Sequence, residues 1–521
     1  MDKKMKRNLK SLIRIIFGRT IAVVLGLALQ IFFIVTAIMY FSNRFVFFSA
    51  AMSVLSLVVL VCIINDNTNP YYKLAWVVPI MLVPIFGTVI YIFVRMELGT
   101  RMMNKRIRTL IVETEPYMQQ DETVLEDLER ISVKEKNFAV YMKKYAGCPV
   151  WKNTAAEYYP LGEDAFSAMV RELEKAEKFI FMEYFIVEHG EMWDTILEIL
   201  ERKAGEGVDV RFMYDGMSSL VLVPYNYPKK LVARGVKCKV FSPIKPVFST
   251  VQNNRDHRKI LVIDGHTAFT GGVNLADEYI NKYERFGHWK DTAVMIKGDA
   301  AVNFTIMFLQ NWNISERGRE DNYADFTGAV SPEQDELNTE GFVIPYCDSP
   351  LDNENVGKNV YLDILNRAEK YVHIMTPYLI LDEEMIQSLT YAAKRGVDVT
   401  IIMPHVPDKV YAYILARSYY AELISAGVKI YEYTPGFVHA KAFVSDDIKA
   451  VVGSINLDYR SLFLHFECAC YFYRCPVVKD VEEDMLRTMQ KCNQITLEDC
   501  RRYNIFKKLA GHVLRLFAPL M

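Results

Sequence analysis

Two histidines, each followed two residues later by a lysine, carry the chemistry open to this sequence. From His257 and His439 the chain gives Lys259 and Lys441 two residues on, Asp264 and Asp446 seven on, and Gly271 and Gly453 fourteen on; Gly272 and Ser454 then stand fifteen on, and Asn274 and Asn456 seventeen on. A lone His-x-Lys with a distant Asp is cheap to find in a long chain, whereas two copies with their glycines and asparagines in register are not chance. Two imidazoles that titrate near neutral pH divide the roles of nucleophile and general acid. Lys259 and Lys441 supply positive charge, while Asn274, Asn456 and the Ser454 hydroxyl supply directed hydrogen bonds. Displacement at a phosphodiester asks for that set, because its phosphorus is shielded by negative charge and its leaving group is poor. Beyond each motif an apolar run begins near an acid, Asp291 or Glu467, placed to orient an imidazole as a carboxylate does in a triad. A lone histidine before apolar Ile260 to Ile263, or before Ala442 to Val444, would read as a core residue; the matched pair does not. His266, His288 and His465 lack such company and read as structural or surface groups.

The motifs need elements to hold them, and those elements also recur. Phe179 to Val187 and Val208 to Tyr214 have strand length, with helical spacing before and between them, which signals α/β layers. Ala176-Glu177-Lys178 and Gly207-Val208-Asp209-Val210 return as Ala368-Glu369-Lys370 and Gly396-Val397-Asp398-Val399, and Gly235-Val236-Lys237 returns as Gly427-Val428-Lys429. Two halves, 147–330 and 331–500, placed face to face about a pseudo-twofold axis, would bring both motifs to one cleft. The first half carries an insertion over 245–256, with Lys245, Pro246 and Phe248, that reads either as a tolerated surface loop or as a lip over the site.

The chain has 521 residues, 61 Lys plus Arg against 63 Asp plus Glu, and 51% hydrophobic residues, concentrated in the first hundred positions. The balanced charge offers no broad basic surface for nucleic acid. Nine cysteines without zinc-type spacing point to no metal and no disulfide framework, and unpaired thiols suit a reducing compartment. No cofactor is implied. Within 1–95, the runs 21–40, 46–64 and 74–94 are each long enough to cross a hydrocarbon core of about 30 Å, or one of them re-enters. They predict a multi-pass anchor in the cell membrane, with the catalytic part leaning to the cytoplasmic side. Residues 96–146 read as a connector. At the end, 501–521 form an amphipathic helix in which Ile505, Leu509, Val513, Leu516 and Leu520 alternate with Lys507, Lys508, His512 and Arg515. It suits either packing on the protein body or docking on anionic lipid.

The paired motifs resemble the His-x-Lys-x4-Asp motifs of the phospholipase D superfamily. Gly147-Cys148-Pro149-Val150, Glu183-Tyr184-Phe185, Arg258-Lys259, His288-Trp289-Lys290-Asp291, Arg460-Ser461 and Phe466-Glu467 are similar to its bacterial cardiolipin synthase branch. The resemblance runs from Leu74 to the C-terminus. It implies two α/β/α sandwich domains and transfer of a phosphatidyl group between two phosphatidylglycerol molecules, releasing glycerol. It further implies a phosphohistidine intermediate, with His257 as nucleophile and His439 as acid, and a supporting role for Asp264 and Asp446. Another phospholipase D-type phosphatidyltransferase or a phospholipid hydrolase is the neighbouring reading, and a non-catalytic membrane organiser a more distant one. Gly272 where the second copy has Ser454, Asp256 before the first histidine and the extra apolar opening segment depart from the pattern.

Overall fold

The first half contributes strands β1 (Thr154–Tyr159), β2 (Phe179–Tyr184), β3 (Asp209–Asp215), β4 (Lys237–Phe241), β5 (Ile260–Ile263), β6 (Thr267–Gly271), β7 (His288–Lys290) and β8 (Ala293–Gly298). The second contributes β9 (Phe342–Asp348), β10 (Tyr371–Met375), β11 (Asp398–Pro404), β12 (Lys429–Tyr433), β13 (Gly436–Val438), β14 (Ala442–Ser445), β15 (Lys449–Gly453), β16 (Glu467–Tyr473) and β17 (Cys492–Ile495). In this computed structural model the described residues are 28–520 apart from 30, 34, 38, 41–45, 67–68, 97, 219–221, 245–252, 317–320, 329–338 and 353.

The strands form two sheets, ordered β1-β8-β6-β5-β2-β3-β4 and β17-β12-β11-β10-β14-β15-β16-β9. Read from β4, the first sheet repeats the second from β12 strand for strand, and β17 is an addition at the edge. In each, three parallel strands run together toward one side of the sheet, and the inner ones, β2 with β3 and β10 with β11, are buried on both faces, which is why β2 reads as an unbroken apolar run around Glu183. Alternate residues of β2 serve different cores. Ile180 and Met182 pack with Ala168 and Trp193 from the helices Gly162–Glu174 and Glu191–Gly205. Phe179 and Phe181 face a core shared with the second half, where Phe181 stacks on Phe308 of the helix Ala301–Asn313 with ring centroids 4.7 Å apart.

The halves are also joined by backbone. β7 pairs in parallel with β13, Trp289 opposite Phe437 and Lys290 opposite Val438, and Asp256 bridges Phe466 in the same sense. In each case a segment leading into a histidine lies beside the other half's segment leading into a carboxylate. This pairing positions the site.

Two expectations change in the structure. The segment 96–146 is not an open connector, because its helices Glu122–Ile131 and Val133–Ala146 bury Leu125, Leu128, Phe138 and Met142 in the shared core. The run 74–94 is not one helix: Pro70–Leu82 and Pro84–Met96 separate at Val83, and a Cβ on Gly87 would lie 2.8 Å from Ile80 Cα, so the chain doubles back. Each arm has 13 residues, about 20 Å of rise, too short for the hydrocarbon core. The run 46–64 is the helix Val46–Asn65, packed on this hairpin through Val59 and Ile63. Among the described residues no helix is long and apolar enough to cross a membrane. Half of the run 21–40 and residues 245–252 of the insertion lie outside the described residues. The C-terminal helix Ile505–Phe517 packs through Gly511, whose added Cβ would meet Ile414 O at 2.9 Å, and through Arg515 over Tyr419, and it leaves Ile505, Phe506 and Leu509 exposed.

Candidate active site

Each motif begins just before a short strand, β5 or β14, so that histidine and lysine, two apart, share a face. The Lys259 ammonium turns back onto the carbonyl of His257 and that of Lys441 onto the carbonyl of His439. At the far end of each strand the aspartate closes the turn. Asp264 accepts from the backbone N–H groups of Glu177, Lys178 and Phe179 at 2.7–2.8 Å, and Asp446 from those of Glu369, Lys370 and Tyr371 at 2.8–2.9 Å. Both aspartates have left-handed backbones, φ 51° and 56°, which Asp tolerates better than most residues. They tie each motif to the strand beside it and lie four residues of strand away from the histidines.

The carboxylates cross between halves. His257 Nδ1 lies 2.9 and 3.0 Å from the two oxygens of Glu467, and His439 Nδ1 lies 2.6 Å from Asp291 Oδ2. The backbone imposes this exchange: His257 N–H donates to Phe466 O at 2.9 Å and His439 N–H to Lys290 O at 2.7 Å, one residue before each acid. Neither half alone orients its motif histidine. Both imidazoles, both lysines and both carboxylates are buried.

The sequence reading of three site residues changes. The Ser454 hydroxyl is committed to Glu467 at 2.5 Å, with Ser461 donating to the other oxygen at 2.7 Å, so Ser454 braces the carboxylate. Asn274 accepts from Ile186 N–H and donates to Tyr279 OH, which leaves it a loop brace, whereas Asn456 Oδ1 is buried without a partner among the described residues. Gly272 is a clearance: a Cβ there would stand 2.0 Å from Asp291 Oδ1 and 2.9 Å from His439 O. Gly272→Ala is therefore expected to push Asp291 off His439 and lower turnover about 100-fold with the melting temperature little changed. Near-normal turnover in that variant would contradict the arrangement.

Sequence reasoning missed a second group of residues. Arg258 lies 2.7 Å from Glu183 and 3.1 Å from Asp256, and Asn311 bonds both acids, fixing the backbone that presents His257. Phe185 and His465 flank the His257 ring, at 5.1 and 5.7 Å between centroids, and Trp289 and Tyr279 flank His439 at 5.3 and 5.4 Å. One signal for His465 was available in the sequence: it stands two residues before Glu467, as Trp289 stands two before Asp291.

Burial makes the two pairs unequal. It lifts Glu467 to about 8 against the pull of Lys259 and the two serines. Burial also pushes Asp291 up, but His439 and Lys441 outweigh it and hold the carboxyl below its usual range. His439 is lowered to about 4 by burial and Lys441, and His257 falls well below its usual range through burial, Lys259 and His465. Lys259 and Lys441 drop to about 8 and about 7, mainly by burial. A cleft this rich in buried cations awaits an anion. Because a lysine with a lowered pKa is charged only below it, kcat/KM is expected to fall as pH rises through about 7 to 8. The alkaline limb of kcat should lie higher, since a bound phosphodiester stabilises both ammonium groups. A kcat/KM flat to pH 9 would show that the lysine charges are not needed. His257, His465 and Glu467 stand close enough to hold a metal ion, but both Glu467 oxygens are already taken and two lysines adjoin. The residues do not fit a cation.

A fold of two repeated α/β sheets that share crossed His-carboxylate pairs and two buried lysines is that of the phospholipase D class. A family model described as "Cardiolipin synthase, PLD-like domain" matches residues 169–303 and 361–489, and one described as "Phospholipase_D-nuclease N-terminal" matches 54–95. The chain is 32% identical over 468 residues to a cardiolipin synthase of Alkalihalophilus pseudofirmus, covering 88% of this chain and 91% of that protein. A cardiolipin synthase of Clostridium perfringens is 34% identical over 460 residues, covering 88% and 95%, and an uncharacterized protein of Streptococcus mutans is 50% identical over 459, covering 88% and 98%. The chain belongs to the bacterial cardiolipin synthase family of the phospholipase D superfamily. The crystal structure of a phosphatidylserine synthase of Haemophilus influenzae shares its fold, with a TM-score of 0.55 at 16% identity, covering 74% of this chain and 98% of that one.

Proposed function

We propose that this enzyme moves a phosphatidyl group from one phosphatidylglycerol to a second, forming cardiolipin and releasing glycerol. The observation that carries the reading is the exchange of carboxylates, which makes the two histidines parts of one centre, together with the similarity to cardiolipin synthases over most of the chain. His257 Nε2 attacks phosphorus while Nδ1–H donates to Glu467. His439, as imidazolium held by Asp291, gives its proton to the departing glycerol oxygen. A hydroxyl of the second phosphatidylglycerol then attacks the phosphohistidine in line and passes its proton back to His439, so the cycle needs neither metal nor nucleotide. The division of roles is the one the family resemblance implies; Asp291, held ionised, favours the protonated form of His439 against burial and Lys441, and Glu467 holds Nδ1 of His257 so that Nε2 is free to attack.

The reaction takes place at a membrane. The N-terminal module supports this, with Phe47, Leu57, Met81 and Leu82 exposed, and so does the apolar face of Ile505–Phe517, which suits anionic lipid. Nine unpaired cysteines favour the cytoplasmic side for the catalytic halves. Attachment lets the second lipid arrive by lateral diffusion at high effective concentration, which favours alcohol over water. Vesicles of phosphatidylglycerol alone should give cardiolipin and glycerol in equal amounts, and added glycerol should reverse the reaction. Phosphatidic acid as the main product would replace synthase by hydrolase.

A further inference from the structure

The mechanism above leaves one buried imidazole at the site unused. His465 has only a tenth of its side chain exposed, its Nδ1 is 3.9 Å from Glu467 Oε1, and neither ring nitrogen has a hydrogen-bond partner among the described residues. A fold seldom leaves both nitrogens of a buried imidazole unsatisfied unless something else satisfies them. The backbone holds the residue firmly: His465 N–H donates to Arg460 O at 2.8 Å, and the next residue pairs with the segment that carries His257. The counterpart in the first half is Trp289, packed among Tyr279, Phe286 and Phe437 beside His439. The His257 side of the cleft therefore carries an imidazole where the His439 side carries an indole.

We infer that His465 is a third catalytic histidine, whose ring N–H donates to a non-bridging oxygen of the phosphoryl group under transfer; this rests on the reading of the cleft as a phosphatidyl-transfer site. In an in-line displacement, His257 Nε2 and the entering or leaving oxygen lie on the axis through phosphorus, the latter toward His439. A ring that flanks His257 is off that axis and beside the equatorial oxygens, where negative charge must be held. The amide donors read from the sequence do not fill that place on the first half, because Asn274 is spent on Ile186 and Tyr279. Burial, then Arg460, Lys259 and Arg255, keep His465 neutral, so it brings a donor without adding a third repelling charge.

The test combines variants with sulfur-substituted phosphatidylglycerol, each non-bridging oxygen replaced in turn. His465→Ala should lower kcat for glycerol release about 100-fold with little change in KM, because the contact tightens as charge moves onto the oxygen. His465→Asn, whose amide still donates, should recover to within about tenfold of the parent. In the parent enzyme one sulfur diastereomer should be slowed more than the other, and His465→Ala should erase that difference. His465→Phe carries the same comparison if the alanine variant fails to fold. A kcat within threefold of the parent, or sulfur effects unchanged in the variants, would overturn the assignment. If the parent releases no glycerol from phosphatidylglycerol, the substrate reading fails on its own. The comparison is then made on chiral methyl 4-nitrophenyl phosphorothioate, with the same criteria.

Discussion

His257→Ala and His439→Ala are each expected to lower phosphatidyl transfer by about four orders of magnitude or more while leaving the protein folded, because neither lysine nor water replaces an imidazole in these roles near neutral pH. Loss of His257 removes the atom that forms the covalent bond. Loss of His439 removes the proton that the departing glycerol oxygen needs. The two variants should part on a diester with a 4-nitrophenol leaving group, which departs without protonation. His439→Ala should regain much of the first step on it, and His257→Ala none. Near-normal transfer by either variant would dissolve the single-centre reading, and recovery of the His257 variant alone would reverse the roles.

The crossed carboxylates predict the next largest effects. Asp291→Asn and Glu467→Gln keep size and put an amide where the carboxyl stood, and each should cost about 10³- to 10⁴-fold by misorienting the imidazole or stabilising the wrong tautomer. Their causes differ. Glu467 receives hydroxyl donors from Ser454 and Ser461 and faces His257 Nδ1, so an amide NH₂ at that place must oppose at least one donor. Asp291 meets a bare Gly272 and holds His439 at 2.6 Å, so its loss weakens the imidazolium, and the 4-nitrophenol diester should recover Asp291→Asn more than Glu467→Gln. Full activity in both variants would mean that the exchange between halves has no catalytic meaning.

The sequence displayed the parts of this arrangement better than their connections. Its internal repeat carried the two sheets, because the same words recur at nearly constant offset and apolar runs such as Phe179 to Tyr184 are what doubly buried parallel strands require. His257, Lys259, His439 and Lys441 were readable because strand periodicity puts histidine and lysine on one face. Which acid serves which histidine was not readable, since it depends on β7 lying beside β13 and Asp256 beside Phe466, contacts between segments about 150 to 210 residues apart. Hydrogen-bond commitments were equally hidden. Ser454 and Asn274 look like substrate donors by type and position, yet tertiary neighbours claim both. The 74–94 run shows the limit of apolar length as a guide: Pro84 and the close approach at Gly87 fold it on itself, and only the contact with Ile80 reveals that. His465 went unrecognised because histidines were matched by motif, whereas its counterpart at the same distance from the acid is a tryptophan.

The most direct measurement is a single-turnover acid quench with phosphatidylglycerol labelled in its phosphate, followed by a chase with unlabelled phosphatidylglycerol in the same vesicles. The account predicts label on the peptide containing His257, absent in His257→Ala, and its passage on chase into cardiolipin with glycerol already released. Label on His439, no protein-bound label on the pathway, or a chase that ends in phosphatidic acid would contradict it.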